Sequence, residues 1–250
     1  MAGSTLNPHK FCIFAPMSVL ENLRQIRQKI QRACEQSGRA PESVRLVAVS
    51  KNQSAAQILQ AYEAGQRVFG ENYVQELLDK QSHPLLCALD IEWHFIGHLQ
   101  SNKVKHVVDK VAMIQTLDSL HLAEVLSRRA AQSAQRVPIL LEINISGETS
   151  KHGFKPEEVY SAARKIFELP YLELRGLMTI GSADNEKARD EFKMMKALFE
   201  DLKRLSPCPE TFSELSMGMS GDFEEAIAAG ATMVRVGTAI FGERSPLMRP

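Results

Sequence analysis

Lys51 is the residue in this sequence best placed for covalent chemistry. It ends the apolar run VRLVAVSK at 44–51, in which alternate residues share a face, so that Val47, Val49 and Lys51 point the same way in a β-strand. An amine at the carboxyl end of a buried strand is suited to forming a Schiff base with a carbonyl compound. The alternative is a solvated lysine at a strand end, without any chemistry.

Two later segments could hold an anion. The first, SMGMS at 216–220, leads into a predicted helix start at Asp222, where small residues expose backbone N–H groups near the positive end of the helix dipole. The second, Gly237 with Thr238, combines a close approach of the backbone with a hydroxyl donor. Together they predict a phosphate site. The alternative is that Gly218 and Gly237 only make tight turns.

Arg235 is the third candidate. It shares a strand face with Met233 and Gly237, which predicts that it points into the protein interior. A buried guanidinium needs an acceptor, either a structural ion pair with Glu142 or the ring nitrogen of a pyridine cofactor, to which it can only donate. Amine, anion site and interior donor together describe a pocket for pyridoxal 5'-phosphate, with the aldehyde on Lys51.

The elements that must position these residues alternate between strands and helices. Buried-strand patterns occur at 44–50, 67–71, 92–97, 111–116, 137–145, 172–179, 211–216 and 232–237. Helical patterns lie at 55–64, 119–134, 156–168, 185–205 and 223–229. This order predicts an α/β protein with parallel strands closed into a single (β/α)8 TIM barrel. An open doubly wound sheet is the rival, but the first strand is not followed by the nucleotide-binding turn G-x-G-x-x-G.

An extra helix precedes the first strand. From Ser18, apolar residues that include Leu20 recur at helical spacing up to Gly38, and Ser18 with Glu21 forms a capping-box pattern. Because Met17 stands directly before this cap, residues 1–16 are predicted to be a disordered N-terminal extension. Residues 17–250 are predicted to form one barrel domain.

Length and composition exclude several classes of protein. A chain of 250 residues fits one barrel, and 30 basic and 30 acidic residues leave no net charge to attract nucleic acid or an anionic membrane. The four cysteines are widely spaced, and no histidine stands at ligand spacing from them, so neither a disulfide framework nor a metal site is predicted. No apolar stretch approaches the roughly 20 residues that span a bilayer. We therefore expect a soluble, cytoplasmic protein.

Seven ordered motifs carry a family resemblance. They are VAVSK at 47–51, FGENYVQE at 69–76, WHFIGHLQ at 93–100, KHGF at 151–154, GLMT at 176–179, ELSMGMS at 214–220 and VRVGTAIFG at 234–242. In these motifs the chain resembles the pyridoxal phosphate homeostasis proteins (YggS/PROSC type). The resemblance implies a fold-type III barrel of the alanine racemase N-terminal kind. It also implies that the barrel holds pyridoxal 5'-phosphate as a Schiff base and serves vitamin B6 balance.

The resemblance further implies roles for single residues. Lys51 matches the Schiff-base lysine, and Arg235 matches the arginine at the ring nitrogen. Seven more positions match residues that contact the phosphate or line the cofactor: Ser216, Met219, Gly237 and Thr238 for the phosphate, and Asn72, Ile96 and Met178 for the lining. One departure lies three residues after Lys51, where the family often has proline and this chain has Ser54.

A carrier is favoured over an enzyme. Alanine racemases complete their site with a further domain and a partner subunit, and the eight residues after Gly242 are too few for such a domain. Arg235 cannot accept the ring proton, which makes the cofactor a poorer electron sink. We expect a monomer that delivers the cofactor to apo-enzymes. The alternatives are a weak amino-acid racemase or lyase using Tyr73, His98 or His152, and a class I aldolase without the cofactor.

Overall fold

The chain folds into a closed barrel of eight parallel strands, seen in a computed structural model that describes residues 18–242. The strands are β1 (Arg45–Val49), β2 (Val68–Glu71), β3 (Glu92–Phe95), β4 (Met113–Leu117), β5 (Val137–Glu142), β6 (Leu172–Met178), β7 (Glu214–Ser216) and β8 (Met233–Val236). Parallel pairing of β1 with β8, with Leu46 opposite Val234, closes the barrel. The predicted TIM barrel is confirmed. The predicted extension at 1–16 lies outside the described residues.

Helices cover the outside of the barrel. They are α1 (Val19–Gln36), α2 (Ala55–Glu63), α3 (Val74–Ser82), α4 (Leu120–Ser133), α5 (Val159–Phe167), α6 (Asn185–Leu205), α7 (Phe223–Ala228) and α8 (Thr238–Phe241). Strict alternation fails between β3 and β4, which are joined by the 3-10 helix Ser101–His106. Within 18–242, every helix is too short or too polar to cross a membrane.

Helix α1 is the predicted extra helix, and its start has the predicted cap. The Ser18 hydroxyl accepts from the Glu21 N–H at 3.2 Å, and the Glu21 carboxylate accepts from the Ser18 N–H at 2.9 Å. The buried face of α1 begins at Val19, whereas Leu20, the first apolar residue of the predicted helical pattern, is exposed. The Asn22 side chain donates to the Ile240 carbonyl at 2.9 Å and ties α1 to α8.

The inside of the barrel has an apolar floor and a polar upper part. The floor is a small cluster of buried side chains: Val47, Met113, Leu140, Met178 and Met233. Above it lie buried polar residues, a costly arrangement unless each group is hydrogen-bonded.

Two predicted strand limits are corrected by the structure. Strand β5 ends at Glu142 rather than 145, and β7 begins at Glu214 rather than 211. Ile143 continues β5 only as a bridge to Phe154.

Candidate functional site

A cavity of about 300 Å³ opens at the carboxyl ends of β1 and β8 and beside the loop after β7. We call it the mouth cavity. It is lined by Val49, Lys51, Gln53, Met219, Ser220, Gly221, Arg235, Gly237 and Thr238. Five of the nine predicted site residues are in this lining. Barrel closure thus brings together the amine, the two anion-binding segments and the arginine, which are up to 187 positions apart in the chain (Lys51 to Thr238).

The four other predicted site residues lie around this cavity. Asn72 and Ile96 line a separate space of about 180 Å³ near the ends of β2, β3 and β5, which we call the side cavity. Met178 belongs to the apolar floor of the barrel. Ser216 is fully buried with its hydroxyl against Arg235, so its side chain is engaged inside the barrel rather than exposed in the mouth cavity.

The backbone on both sides of Lys51 is held by side chains of α3. Lys80 Nζ donates to the Ser50 carbonyl at 2.6 Å, and the Asn52 N–H donates to Glu76 Oε1 at 2.5 Å. Asn52 has φ 59°, a left-handed conformation that asparagine tolerates better than most residues. The backbone therefore turns sharply next to half-buried Lys51, and hydrogen bonds with the α3 side chains hold this turn in place.

Lys80 is the centre of a buried charge cluster that we call the lysine clamp, made of Ser50, Glu71, Glu76 and Lys80. Lys80 Nζ lies 2.6 Å from Glu71 Oε1 and 2.7 Å from Glu76 Oε1, and the Ser50 hydroxyl donates to Glu71 Oε1 at 2.5 Å. Burial raises the pKa of Glu71 to about 7, although the charge and hydrogen bond of Lys80 oppose this rise. The clamp was not predicted. The i, i+4 spacing of Glu76 and Lys80 was the available signal.

Arg235 is only 5% exposed, and two of its donors are used inside the barrel. Nη1 donates to Ser216 Oγ at 2.7 Å, and Nη2 donates to the Thr179 carbonyl at 2.8 Å. The alternative of an ion pair with Glu142 is wrong, because the acceptors of Arg235 among residues 18–242 are Ser216 and Thr179, and Glu142 lines the side cavity instead. Burial lowers the pKa of Arg235 to about 10, and the charges of Glu142 and Asp222 oppose this. The guanidinium therefore stays protonated at neutral pH.

A hydrogen-bond chain behind Arg235 fixes its orientation. Ser216 Oγ accepts from Arg235 and donates to Gln115 Oε1 at 2.7 Å. Gln115 Nε2 then donates to His94 Nδ1 at 2.8 Å, which leaves His94 Nε2 as the donor to Glu92 Oε1 at 2.9 Å. Arginine can only donate hydrogen bonds. The donor and acceptor assignments of Ser216, Gln115 and His94 therefore follow from the presence of Arg235. Burial lowers the pKa of His94, in agreement with a neutral ring.

Two glycines let the backbone enclose the mouth cavity closely. Gly218 has φ 90°, and a Cβ at this position would lie 2.5 Å from Ala226 Cβ and 2.9 Å from Phe223 Cα. The loop after β7 therefore lies directly on α7. A Cβ on Gly237 would lie 3.2 Å from the carbonyl oxygen of Val49, tighter than an ordinary contact. Larger residues at either position would push the loop or strand end outward.

Backbone donors are available in this enclosure, but not all of those expected. The Met219 N–H donates to Asp222 Oδ1 at 2.5 Å, so a side chain of the protein already uses it. Four other N–H groups of the cavity lining make no hydrogen bond within residues 18–242: those of Ser220, Gly221, Gly237 and Thr238. A set of convergent unpaired N–H groups suits the oxygens of a phosphate. The lining therefore fits a phosphorylated ligand.

Glu142 makes the side cavity electrostatically distinct. Its side chain is 6% exposed, and burial raises its pKa to about 7, helped by the charge of Asp118 and opposed by that of Arg235. His98 and His152, two of the predicted proton carriers, line the same cavity. Tyr73, the third, is exposed and lines a different space of about 490 Å³. The structure therefore groups the two histidines in the side cavity, and His98 also lines the space that contains Tyr73.

Comparison with known proteins identifies the family. The model "Alanine racemase, N-terminal domain" matches residues 21–245. The chain is 45% identical to a pyridoxal phosphate homeostasis protein of Haemophilus influenzae, over 92% of this chain and 97% of that protein. This chain belongs to the pyridoxal phosphate homeostasis protein family. The resemblance seen in the seven motifs is confirmed.

Solved structures agree with this family membership. PipY of Synechococcus elongatus PCC7942, whose structure has pyridoxal phosphate (PLP) bound, is 36% identical with a TM-score of 0.78, covering 90% of this chain and all of that one. An alanine racemase of Clostridium difficile is 16% identical with a TM-score of 0.67, covering 91% of this chain and 58% of the racemase. At that identity the racemase shows a common fold alone. The homeostasis family is thus built on the racemase-type barrel.

Replacing Lys80 should destabilise the protein strongly. Lys80→Met leaves Glu71 buried without its cation, a change that costs about 3–5 kcal/mol of unfolding free energy. Lys80→Met combined with Glu71→Gln should recover part of this loss, because the fully buried carboxylate is then removed and only the partly exposed Glu76 has lost its cation. Urea unfolding at pH 7 measures both. The control is Lys193→Met on α6, whose ion pair with Asp190 is exposed, and a Lys80→Met loss as small as that of the control would contradict the clamp.

Glu142 should make stability depend on pH. Its folded-state pKa of about 7 lies above the usual 4.5, so its stabilising contribution is complete below pH 4.5 and is lost as the pH rises through 7. The loss amounts to about 3 kcal/mol at most. Glu142→Gln lacks this titration, so its unfolding free energy relative to the unmodified protein should rise from pH 5 to pH 8. The exposed Glu157→Gln is the control, and an equal pH trend in both variants would refute the assignment.

Proposed function

We propose that this protein binds pyridoxal 5'-phosphate in the mouth cavity, covalently through the Lys51 amine, and acts in vitamin B6 homeostasis as a carrier or regulator. The observation that carries the proposal is the convergence of three groups on one cavity: an amine, a buried guanidinium and unpaired backbone N–H groups. Relatives at 45% identity are named for pyridoxal phosphate homeostasis, and PipY has been solved with the cofactor.

Each group of the cavity has a distinct task in this proposal. Lys51 supplies the amine, the N–H groups of Gly237 and Thr238 hold phosphate oxygens, and Arg235 donates to the ring nitrogen. When bound, the cofactor supplies an aldehyde that condenses with amines and a ring that withdraws electrons. The resemblance adds Asn72, Ile96 and Met178 as lining residues and Ser216 and Met219 as members of the phosphate-contacting segments. In this structure the Ser216 hydroxyl is bonded to Arg235 and the Met219 N–H to Asp222, so both would have to exchange these partners to contact a phosphate.

Arg235 supports binding rather than turnover. The protonated guanidinium has no acceptor atom, so it cannot stabilise a proton on the ring nitrogen as a carboxylate would. Its partners Ser216 and Thr179 hold it in place. Electron withdrawal by the ring is therefore weak. Such a site retains the cofactor without strongly activating a bound amino acid.

The cellular setting forms part of the same proposal. We propose a cytoplasmic monomer that passes the cofactor to PLP-dependent apo-enzymes. Three cysteines in the described part of the chain, Cys34, Cys87 and Cys208, are free thiols, which supports a reducing compartment. Lys51 lines the open mouth cavity, and this position supports exchange with incoming amines.

Lys51→Ala should abolish covalent attachment while leaving weak binding of the cofactor. The phosphate contacts come from backbone N–H groups of other segments, so they do not depend on the lysine amine. The near-visible absorbance band of the purified protein should disappear in the variant, and borohydride treatment should no longer fix a label. Lys103→Ala, an exposed lysine outside the mouth cavity, should keep both signals. Covalent label in Lys51→Ala would refute the assigned lysine.

Delivery is tested by transfer to an apo-aminotransferase. The loaded protein should restore activity faster than an equal concentration of cofactor released spontaneously from it, because direct exchange avoids the free state. A trap for free pyridoxal phosphate, such as excess alkaline phosphatase, separates the two routes. Recovery that the trap abolishes completely would leave cofactor binding intact but exclude delivery by contact.

A further inference from the structure

Three side chains outside the mouth cavity form a cluster of metal-ligand type. His98 follows β3, Asp118 follows β4 and His152 follows β5, and their ligand atoms all lie within 4.8 Å of one another. Two imidazoles and one carboxylate from three separate loops are a common protein ligand set for zinc-class ions. The three residues lie far apart in sequence, so the spacing rules for zinc motifs do not detect them.

The distances in the cluster are close to those that one ion would impose. With metal–ligand bonds of 2.0–2.2 Å in a tetrahedral arrangement, neighbouring ligand atoms lie about 3.3 Å apart. Asp118 Oδ2 is 2.9 Å from His98 Nδ1 and 3.9 Å from His152 Nδ1. These two separations bracket the value expected. Small side-chain adjustments are enough to make them equal.

The two histidine rings have room for that adjustment. They are stacked with centroids 3.9 Å apart and planes at 12°. One ring must turn before both nitrogens point at a single ion. The side chains are 42% and 56% exposed, and rotation about the Cβ–Cγ bond of histidine is soft. Asp118 is 11% exposed and provides the fixed point of the cluster.

A second, independent observation points to a ligand here. Glu142 lines the side cavity together with His98 and His152, is 6% exposed, and has a buried Oε2 without any hydrogen-bond partner. A water molecule on a metal ion would give this oxygen a donor. Lys151 also lines the cavity, but its Nζ is paired with Glu148 at 2.6 Å.

We propose that His98, Asp118 and His152 form a binding site for a divalent transition-metal ion of the zinc class, with its open coordination position facing the side cavity and Glu142. The ion would join the loops after β3, β4 and β5 at the rim of the barrel. None of the three ligands is among the residues proposed to contact the cofactor, although Asn72 and Ile96 line the side cavity as well. An alternative use of the cluster, a carboxylate that only orients two imidazoles, is an outcome of the test below.

Cobalt(II) reports on the site directly, because its d–d absorption responds to coordination by nitrogen and oxygen. Co²⁺ is titrated into the full chain with its thiols alkylated. The titration is done on the protein as purified and again after hydroxylamine has removed any bound aldehyde. The protein should bind one Co²⁺, and Zn²⁺ should displace it. Asp118→Asn and His152→Ala should each weaken binding at least tenfold, and Glu142→Gln by a smaller factor. His121→Ala, an exposed histidine on α4, is the matched control and should change affinity less than twofold.

A second measurement keeps the proposal testable if a variant misfolds. Co²⁺ should shift the imidazole proton resonances of His98 and His152 in the unmodified protein, and those of His83 and His121 should remain in place. Binding that Asp118→Asn leaves unchanged, or shifts confined to other histidines, would overturn the metal site. No saturable binding would also overturn it, and would mean that Asp118 only orients the two stacked imidazoles.

Discussion

The buried guanidinium of Arg235 is the interaction on which the rest of the barrel interior depends. A charge that is 5% exposed is costly unless acceptors surround it, and the barrel supplies a hydroxyl and a carbonyl at 2.7 and 2.8 Å. Arginine has no acceptor atom, so the direction of every hydrogen bond from Ser216 to His94 follows from its presence. Arg235 thus determines the direction of the hydrogen bonds inside the barrel, and it contributes donors to the mouth cavity.

A second buried charge, Lys80 on helix α3, performs a matching task at the end of β1. Lys80 holds the carbonyl before Lys51, and its partner Glu76 holds the N–H after it, so the candidate attachment lysine is fixed through its backbone while its side chain stays half-buried in the cavity lining. Two lysines with different burial therefore have different positions: the buried Lys80 holds the backbone, and the half-buried Lys51 lines the mouth cavity. Preorganisation of this kind reduces the conformational entropy lost when a ligand binds.

The upper end of the barrel is divided into two electrostatic regions. The mouth cavity is rich in donors, with Arg235 and backbone N–H groups that have no partner among residues 18–242, and suits an anionic, phosphorylated ligand. The side cavity holds Glu142, and Asp118 lies beside its two histidines, which suits a cation. Arg235 and Glu142 influence each other's pKa without forming a bond, so the two regions are coupled only through charge.

The strand and helix patterns determined the barrel, because the period of apolar residues depends only on local geometry. Lys51, Gly237, Thr238 and Arg235 could be predicted for the same reason: each stands at a strand end or on an inward face that alternation reveals. Only the tertiary structure decided which acceptors Arg235 contacts, that Glu142 is not one of them, and that Lys80 supports Lys51. The histidine and aspartate cluster also arises from tertiary structure alone. Contacts between distant segments depend on the register and closure of the barrel, which no local pattern in the sequence encodes.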